Sequence, residues 1–129
     1  MATITRFEDI KAWQKSRELS NEIYRVSSVP PFSQDFALKN QIRKAVGSIM
    51  DNIAEGYERG GNKEFIQFLF IAKGSAGEVR SQLYRAFDNK FITEEDFNSL
   101  TQQVTGIGGM LMNFISCLKQ TEIKGQKFK

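Results

Sequence analysis

Asp51-Asn-Ile-Ala-Glu-Gly-Tyr-Glu-Arg-Gly-Gly-Asn-Lys-Glu-Phe65 is the stretch that decides the fold of this chain. Upstream of it, Leu38, Ile42, Ala45, Val46, Ile49, Ile53 and Tyr57 recur at helical spacing and share one arc of a wheel. Gly60-Gly61 stops that pattern with the left-handed backbone glycine tolerates, and Asn62 is placed to cap a second helix. Gly56 falls inside the apolar arc, where a missing side chain lets a neighbouring helix come close. Gln41, Ser48, Asn52, Glu55 and Arg59 form a polar stripe beside that arc. The stretch reads as helix, tight turn, helix.

Working outward, Ile10, Ala12, Trp13, Leu19, Ile23, Tyr24 and Val26 share one broad arc, with Lys11, Gln14, Lys15, Glu18 and Arg25 opposite. That pattern predicts an amphipathic helix from about Glu8 to Val26, with residues 1 to 6 frayed before it. Pro30-Pro31 ends it, and Ser33 is the expected N-cap of the next helix, about Gln34 to Glu58. The third helix runs from Asn62 to about Asn89 around Phe65, Phe68, Leu69, Ala72, Ala76, Val79, Leu83, Ala86 and Phe87. It carries a second arc some distance round: Ile66, Phe70, Gly74, Gly77, Ser81 and Tyr84. A lone bundle needs one apolar face per helix, so the second predicts a partner. Thr93-Glu-Glu-Asp96 opens a fourth helix with a cap and acids that suit the positive end of its dipole. Its core arc is Phe97, Leu100, Val104, Ile107, Leu111, Phe114, Ile115 and Leu118, and no charged residue occurs from 97 to 118. A basic tail, about 120 to 129, is expected to be disordered. Residues 1–129 therefore read as one all-α domain, an antiparallel up-down-up-down four-helix bundle.

Composition removes most enzymatic routes. The 129 residues include no histidine, which closes Ser-His-Asp and Cys-His catalysis, di-iron ligand sets and ordinary zinc sites. No phosphate-cradling Gly-x-x-x-x-Gly-Lys loop is present. The single cysteine, Cys117, has no partner for an internal disulfide, and with no signal peptide or membrane span expected this points to a reducing cytoplasm. No enzyme activity, cofactor or metal is expected. Asp51, Glu55, Glu58 and Glu78 could serve as ligands or an acid–base pair, but without histidine they read as solvated or paired with Arg and Gln. Asn52, Glu55, Arg59, Glu78 and Gln82 read as a structural polar network that fixes helix register, with Ser75 on the third helix as a further member.

Bases and acids are evenly mixed, 9 and 8 in residues 1–60 and 9 and 7 beyond, giving a net charge of +3. Local clusters stand out at Lys11 and Lys15, at Lys39, Arg43 and Lys44, and in the tail at Lys119, Lys124, Lys127 and Lys129. The first five are the candidate nucleic-acid contacts. Ile66, Phe70, Gly74, Gly77 and Tyr84 are the candidate oligomer interface, reinforced by the uncharged outer face of the fourth helix.

Phe7-Glu-Asp-Ile-Lys-Ala-Trp13, Gln41-Ile-Arg-Lys-Ala45, Asn52-Ile-Ala-Glu-Gly56, Lys63-Glu-Phe-Ile-Gln-Phe-Leu-Phe-Ile-Ala72, Gly74-Ser-Ala-Gly-Glu78 and Ser81-Gln-Leu83 occur in that order. Over residues 7 to 120 the chain resembles the bacterial four-helix-bundle family first noticed as reading frames inside intervening sequences of 23S ribosomal RNA genes. A related branch is the accessory variability determinant of diversity-generating retroelements, a basic pentameric barrel that partners a reverse transcriptase and nucleic acid. The resemblance implies the bundle, a ring-shaped homo-oligomer with five as its count, and no established activity for most members. Gly106, Gly108 and Gly109, together with the modest charge, depart from the strongly basic branch. Two functions stay in view: an accessory module that holds RNA or a nucleic-acid enzyme, and an interaction protein with a protein partner and no nucleic acid.

Overall fold

The computed structural model describes residues 3–123. Four helices account for most of them: α1, Lys11–Ser27; α2, Phe36–Glu58; α3, Asn62–Asp88; and α4, Glu94–Ile123. Packing is sequential, α1 on α2, α2 on α3 and α3 on α4, and α1 also lies against α4, which closes the four into an all-α bundle. Its core is the set of arcs read from the sequence. Leu19, Ile23, Ile42, Ile49, Ile53, Phe65, Leu69, Leu83, Leu100, Ile107 and Leu111 are all buried to within 1% of full enclosure. Removing each such side chain from water contributes about 1.5–3 kcal/mol, well above the few tenths that separate most helix propensities. Tertiary burial therefore sets where these helices lie.

The helix ends depart from the sequence pattern where a side chain finds something better. The first helix does not run on from Glu8: Phe7–Asp9 forms a separate 3-10 turn, and the backbone of Ile10 is extended (ψ 121°) before α1 begins. Two contacts hold this break. The Phe7 ring meets Trp13 edge-on at 5.2 Å, and the Gln14 amide donates to the Glu8 carbonyl at 2.8 Å. Ahead of the break, the Thr5 amide and hydroxyl both donate to an Asp9 carboxylate oxygen at 3.1 Å. Those hydrogen bonds hold the Asp9 carboxyl below the usual carboxylate range. Their stabilising effect is present above the ordinary carboxylate pKa and is lost as pH falls through the lowered folded value. Ile4 packs against the core just upstream. Residues 1, 2 and 124–129, the tail included, lie outside the described residues, while Gln120–Ile123 continues α4.

Ser33 is not the cap of α2. Phe32–Gln34 forms a second 3-10 turn that drives Phe32 into full burial, stacked on Phe91 with ring centres 5.3 Å apart. The cap passes to Asp35, whose carboxylate accepts from the Leu38 amide at 3.0 Å. Asn62 likewise lies inside α3 as its first residue. Gly61 occupies the capping position, and the Asn62 amide reaches across to donate to the Leu118 carbonyl of α4 at 3.1 Å. Gly60 takes the positive φ (86°) expected of the turn, and Thr93 caps α4 by accepting from the Asp96 amide at 3.0 Å. Tyr24 and Tyr57 are less enclosed than their arcs suggest, Tyr57 half-buried and Tyr24 exposed.

Gly56 decides how closely α2 and α3 approach. A Cβ built there would lie 2.6 Å from Phe68 Cβ and 3.0 Å from Phe65 Cδ1. Phe68 Cβ is fixed to the α3 backbone, so relief requires the helices to part. Gly47, elsewhere on α2, has nothing within 4 Å of the same position. We expect Gly56→Ala to lose about 1–3 kcal/mol by overpacking, more than the roughly 1 kcal/mol of helix propensity it gains. Gly47→Ala should instead gain up to about 1 kcal/mol. Chemical denaturation of both variants checks the pair of opposite signs.

Candidate functional site

The basic residues singled out in the sequence do not form one patch. Lys11 lies exposed on α1, and Lys15 lines a small groove between α1 and α4 while pairing with Glu18 at 3.6 Å. Lys39 and Arg43 lie together on α2, and Lys44 turns to the next face of that helix.

At Lys39 and Arg43, rings and cations alternate. Phe36, Lys39 and Arg43 are spaced i, i+3, i+7 and so line one stripe of α2. Phe36 is 66% exposed, with the Lys39 ammonium 5.1 Å from its ring centre. Tyr24 arrives from the last turns of α1, 48% exposed, with the Arg43 guanidinium 4.4 Å over its ring. Val29, in the connection between α1 and α2, is also exposed. The Arg43 head is held from below: Nε donates to Ser27 Oγ at 2.8 Å and Nη2 to Ser28 Oγ at 3.0 Å. Both hydroxyls donate onward to carbonyls of α1, those of Ile23 and Tyr24, each at 2.7 Å. The cation is thus fixed before any ligand arrives. Exposed π faces beside positioned cations can stack bases and neutralise phosphates.

Two other guanidinium groups, those of Arg25 and Arg59, are held by carboxylates. Arg25 is pushed further into its charged form by hydrogen bonds to Glu22 at 2.9 Å and to Asp96 at 3.0 Å, which ties α1 to the start of α4. Arg59 is raised in the same direction, first by its hydrogen bond to Glu55 at 2.7 Å.

The expected polar network divides. Asn52 donates to Ser48 Oγ at 2.9 Å, and Ser48 Oγ meets Ser75 Oγ at 2.9 Å, so this branch crosses from α2 to α3. Glu55 and Arg59 form a separate exposed pair with a second contact to Glu64 at 3.5 Å. An i,i+4 partner on the same helix is reached without crossing, which is why Glu55 does not join Asn52. Glu78 and Gln82 belong to neither branch. They line a groove of about 440 Å³ between α2 and α3, together with Gln41, Lys44, Ser81 and Arg85.

The residues expected at an oligomer interface also separate. Ile66 is buried within its own chain, whereas Phe70 (43% exposed), Tyr84 (50%), Gly74 and Gly77 lie open. Met112, on the uncharged face of the fourth helix, extends this open face onto α4, whereas the exposed Ile71 lies on the other side of α3, toward α2. Phe70 lies beneath the Lys119 ammonium at 5.2 Å, and Tyr84 meets Phe97 edge-on at 5.0 Å.

The fold is a four-helix bundle with an aromatic–basic corner where α1 meets α2 and exposed rings along α3. The chain belongs to the 23S rRNA-intervening sequence protein family, whose model matches residues 8–113. It is also similar to a solved protein of unknown function from the S23 ribosomal protein family of Bacteroides thetaiotaomicron VPI-5482. That structure matches with a TM-score of 0.75 and 26% identity, over 81% of this chain and 95% of the other. No curated protein matches the chain at a significant level. Among the described residues no helix is long and apolar enough to cross a membrane.

The hydrogen bonds beneath Arg43 join α1 to α2, and Phe36 holds nothing in place. Arg43→Ala should therefore cost about 1–2 kcal/mol of stability, from two charge-assisted hydrogen bonds and a ring contact. Phe36→Ala, a surface truncation, should stay within about 0.5 kcal/mol of the parent. Thermal unfolding of the two variants separates the anchored member of the stripe from the free one.

Proposed function

We propose that this protein is a non-enzymatic, cytoplasmic binding module that associates with nucleic acid and works as a homo-oligomer, with five as the count the resemblance suggests. The stripe of Tyr24, Phe36, Lys39 and Arg43 carries the nucleic-acid part of this reading. It offers what a single strand needs: half-exposed or exposed rings for stacking beside two cations, one of which, Arg43, is fixed in place by hydrogen bonds. The family's description, which places it with 23S rRNA intervening sequences, supports the same direction. Assembly strengthens it, since five copies would raise the net charge from +3 to about +15 and repeat the stripe around a ring.

Phosphate contacts act by releasing counterions, so affinity for a single-stranded RNA should fall about ten- to a hundredfold between low and physiological salt if two or three phosphates are neutralised per strand. Lys39→Ala should weaken binding and flatten that salt slope by about one. Fluorescence anisotropy with a labelled oligonucleotide reads both. No binding at low salt would overturn the nucleic-acid reading and leave the protein-partner function in its place.

The assembly part rests on the open face of α3 and α4. Phe70, Tyr84 and Met112 present apolar surface there, without a charged residue on α4 from 97 to 118. Gly74, Gly77, Gly106 and Gly109 have open space where a Cβ would be, so nothing within the chain requires them. Each glycine in a helix costs about 0.5–1 kcal/mol relative to alanine, and close packing of a second copy offsets that cost. Light scattering should return a multiple of the 14.7 kDa chain mass at micromolar concentration. Phe70→Glu should shift that mass toward one chain, because it replaces a ring with a carboxylate that must be desolvated in the contact, even with Lys119 beside it. A parent protein that scatters as a single chain sinks the assembly.

A further inference from the structure

We infer that the groove between α2 and α3 seats a ribose-phosphate unit of an RNA strand and uses its 2′-hydroxyl to tell RNA from DNA; the inference rests on the nucleic-acid reading above. The groove carries a cation on each wall, Lys44 from α2 and Arg85 from α3, with Glu78 and Gln82 along the same edge of α3. Glu78 and Gln82 are one turn apart, and Arg85 follows three residues later, so two acceptors and a cation succeed one another along that edge. The guanidinium is aimed across the groove by its 3.1 Å hydrogen bond to the Gln41 amide oxygen of the facing helix.

Two features of this polar set are unsatisfied. Gln82 is 5% exposed, and its amide oxygen has no hydrogen-bond partner. Buried acceptors are nearly always paired, so one left without a donor needs an account. Lys44 and Glu78 line the same groove yet form no ion pair within 4 Å of each other among the described residues. Ser48, by contrast, is already committed to Asn52 and Ser75.

The lining selects the ligand by what it offers. It has no aromatic side chain, so a base or other flat ring has nothing to stack on. Glu78 disfavours a bare anion, and two cations disfavour an amine. A group that joins a negative charge to a hydroxyl donor meets both: phosphate toward Lys44 and Arg85, hydroxyl toward the exposed Glu78 carboxylate, or toward the Gln82 amide once its enclosed oxygen turns into the groove. Lys44 adjoins Arg43 in sequence and turns to the next face of α2, so a strand stacked on Phe36 and Tyr24 has its backbone within reach of the groove. RNA supplies the hydroxyl at C2′ and DNA does not.

Single-stranded RNA should bind the full chain about five- to tenfold more tightly than DNA of the same sequence at low salt, the worth of one hydrogen bond to a charged or buried acceptor. RNA methylated at the 2′-oxygen keeps the sugar but loses the donor, and should bind like DNA. Gln82→Leu, which preserves volume and removes the orphaned acceptor, should reduce the RNA preference, and Glu78→Ala should reduce it independently. Lys39→Ala should weaken RNA and DNA alike and leave their ratio unchanged. Equal affinity of the parent for RNA, 2′-O-methyl RNA and DNA overturns the groove assignment while leaving the stripe intact. Failure of all three to bind at low salt overturns the nucleic-acid reading itself.

Discussion

Helices α2 and α3 touch at the root of a side chain where Gly56 faces Phe68, and much of the bundle follows from that approach. With no Cβ between them, the two backbones come close enough for Phe65 and Phe68 to pack on α2 near the turn at Gly60. Phe65 in turn meets Tyr57 and Phe114 edge-on at 6.0 and 5.2 Å, which brings α4 onto the same layer. Further along the pair, the Ser48–Ser75 hydroxyl contact replaces apolar packing, and the polar groove lies beyond it. One pair of helices thus changes character along its length, from close-packed aromatic to hydrogen-bonded to open.

The surface is divided in a comparable way. Arg25 and Arg59 are held by carboxylates, Arg43 is held by neutral hydroxyls and a ring, and Lys39 lies over an exposed ring. Neutral support leaves the Arg43 charge uncompensated by any acid it touches, so its field is directed outward. The face of α3 and α4 differs: it is glycine-rich with exposed rings at Phe70 and Tyr84, uncharged on the α4 side from 97 to 118, and its cations, Arg80 and Lys119, touch no acid among the described residues.

The helices were legible because burial follows the 3.6-residue period: the aliphatic members of the four arcs are buried, while most of the aromatic ones, Trp13, Tyr57, Phe68, Phe87, Phe97 and Phe114, are half-buried and Tyr24 is exposed. Helix ends were legible only where the cap is local. Thr93 caps as its sequence suggests, whereas the burial of Phe32 uses up Ser33, and the Leu118 carbonyl draws Asn62 away from capping. Both contacts join residues far apart in the chain and leave no local pattern. The basic candidates show the same limit: Lys39 and Arg43 stood out as charges, but Tyr24 read as core and Phe36 carried no signal, because their importance comes from the corner where α1 meets α2. Gln82 was legible as polar, but its orphaned oxygen depends on what α2 fails to offer it.

The absence of charge along α4 has a practical consequence. No Lys or Arg lies between Lys90 and Lys119, so trypsin has no site in α4 before Lys119, in its last turns, and releases residues 91–119 as a single peptide. That peptide carries Cys117, the chain's one cysteine, whose side chain is exposed in the single chain. A thiol label placed there marks α4 and nothing else, and one fragment then reports whether anything covers that helix.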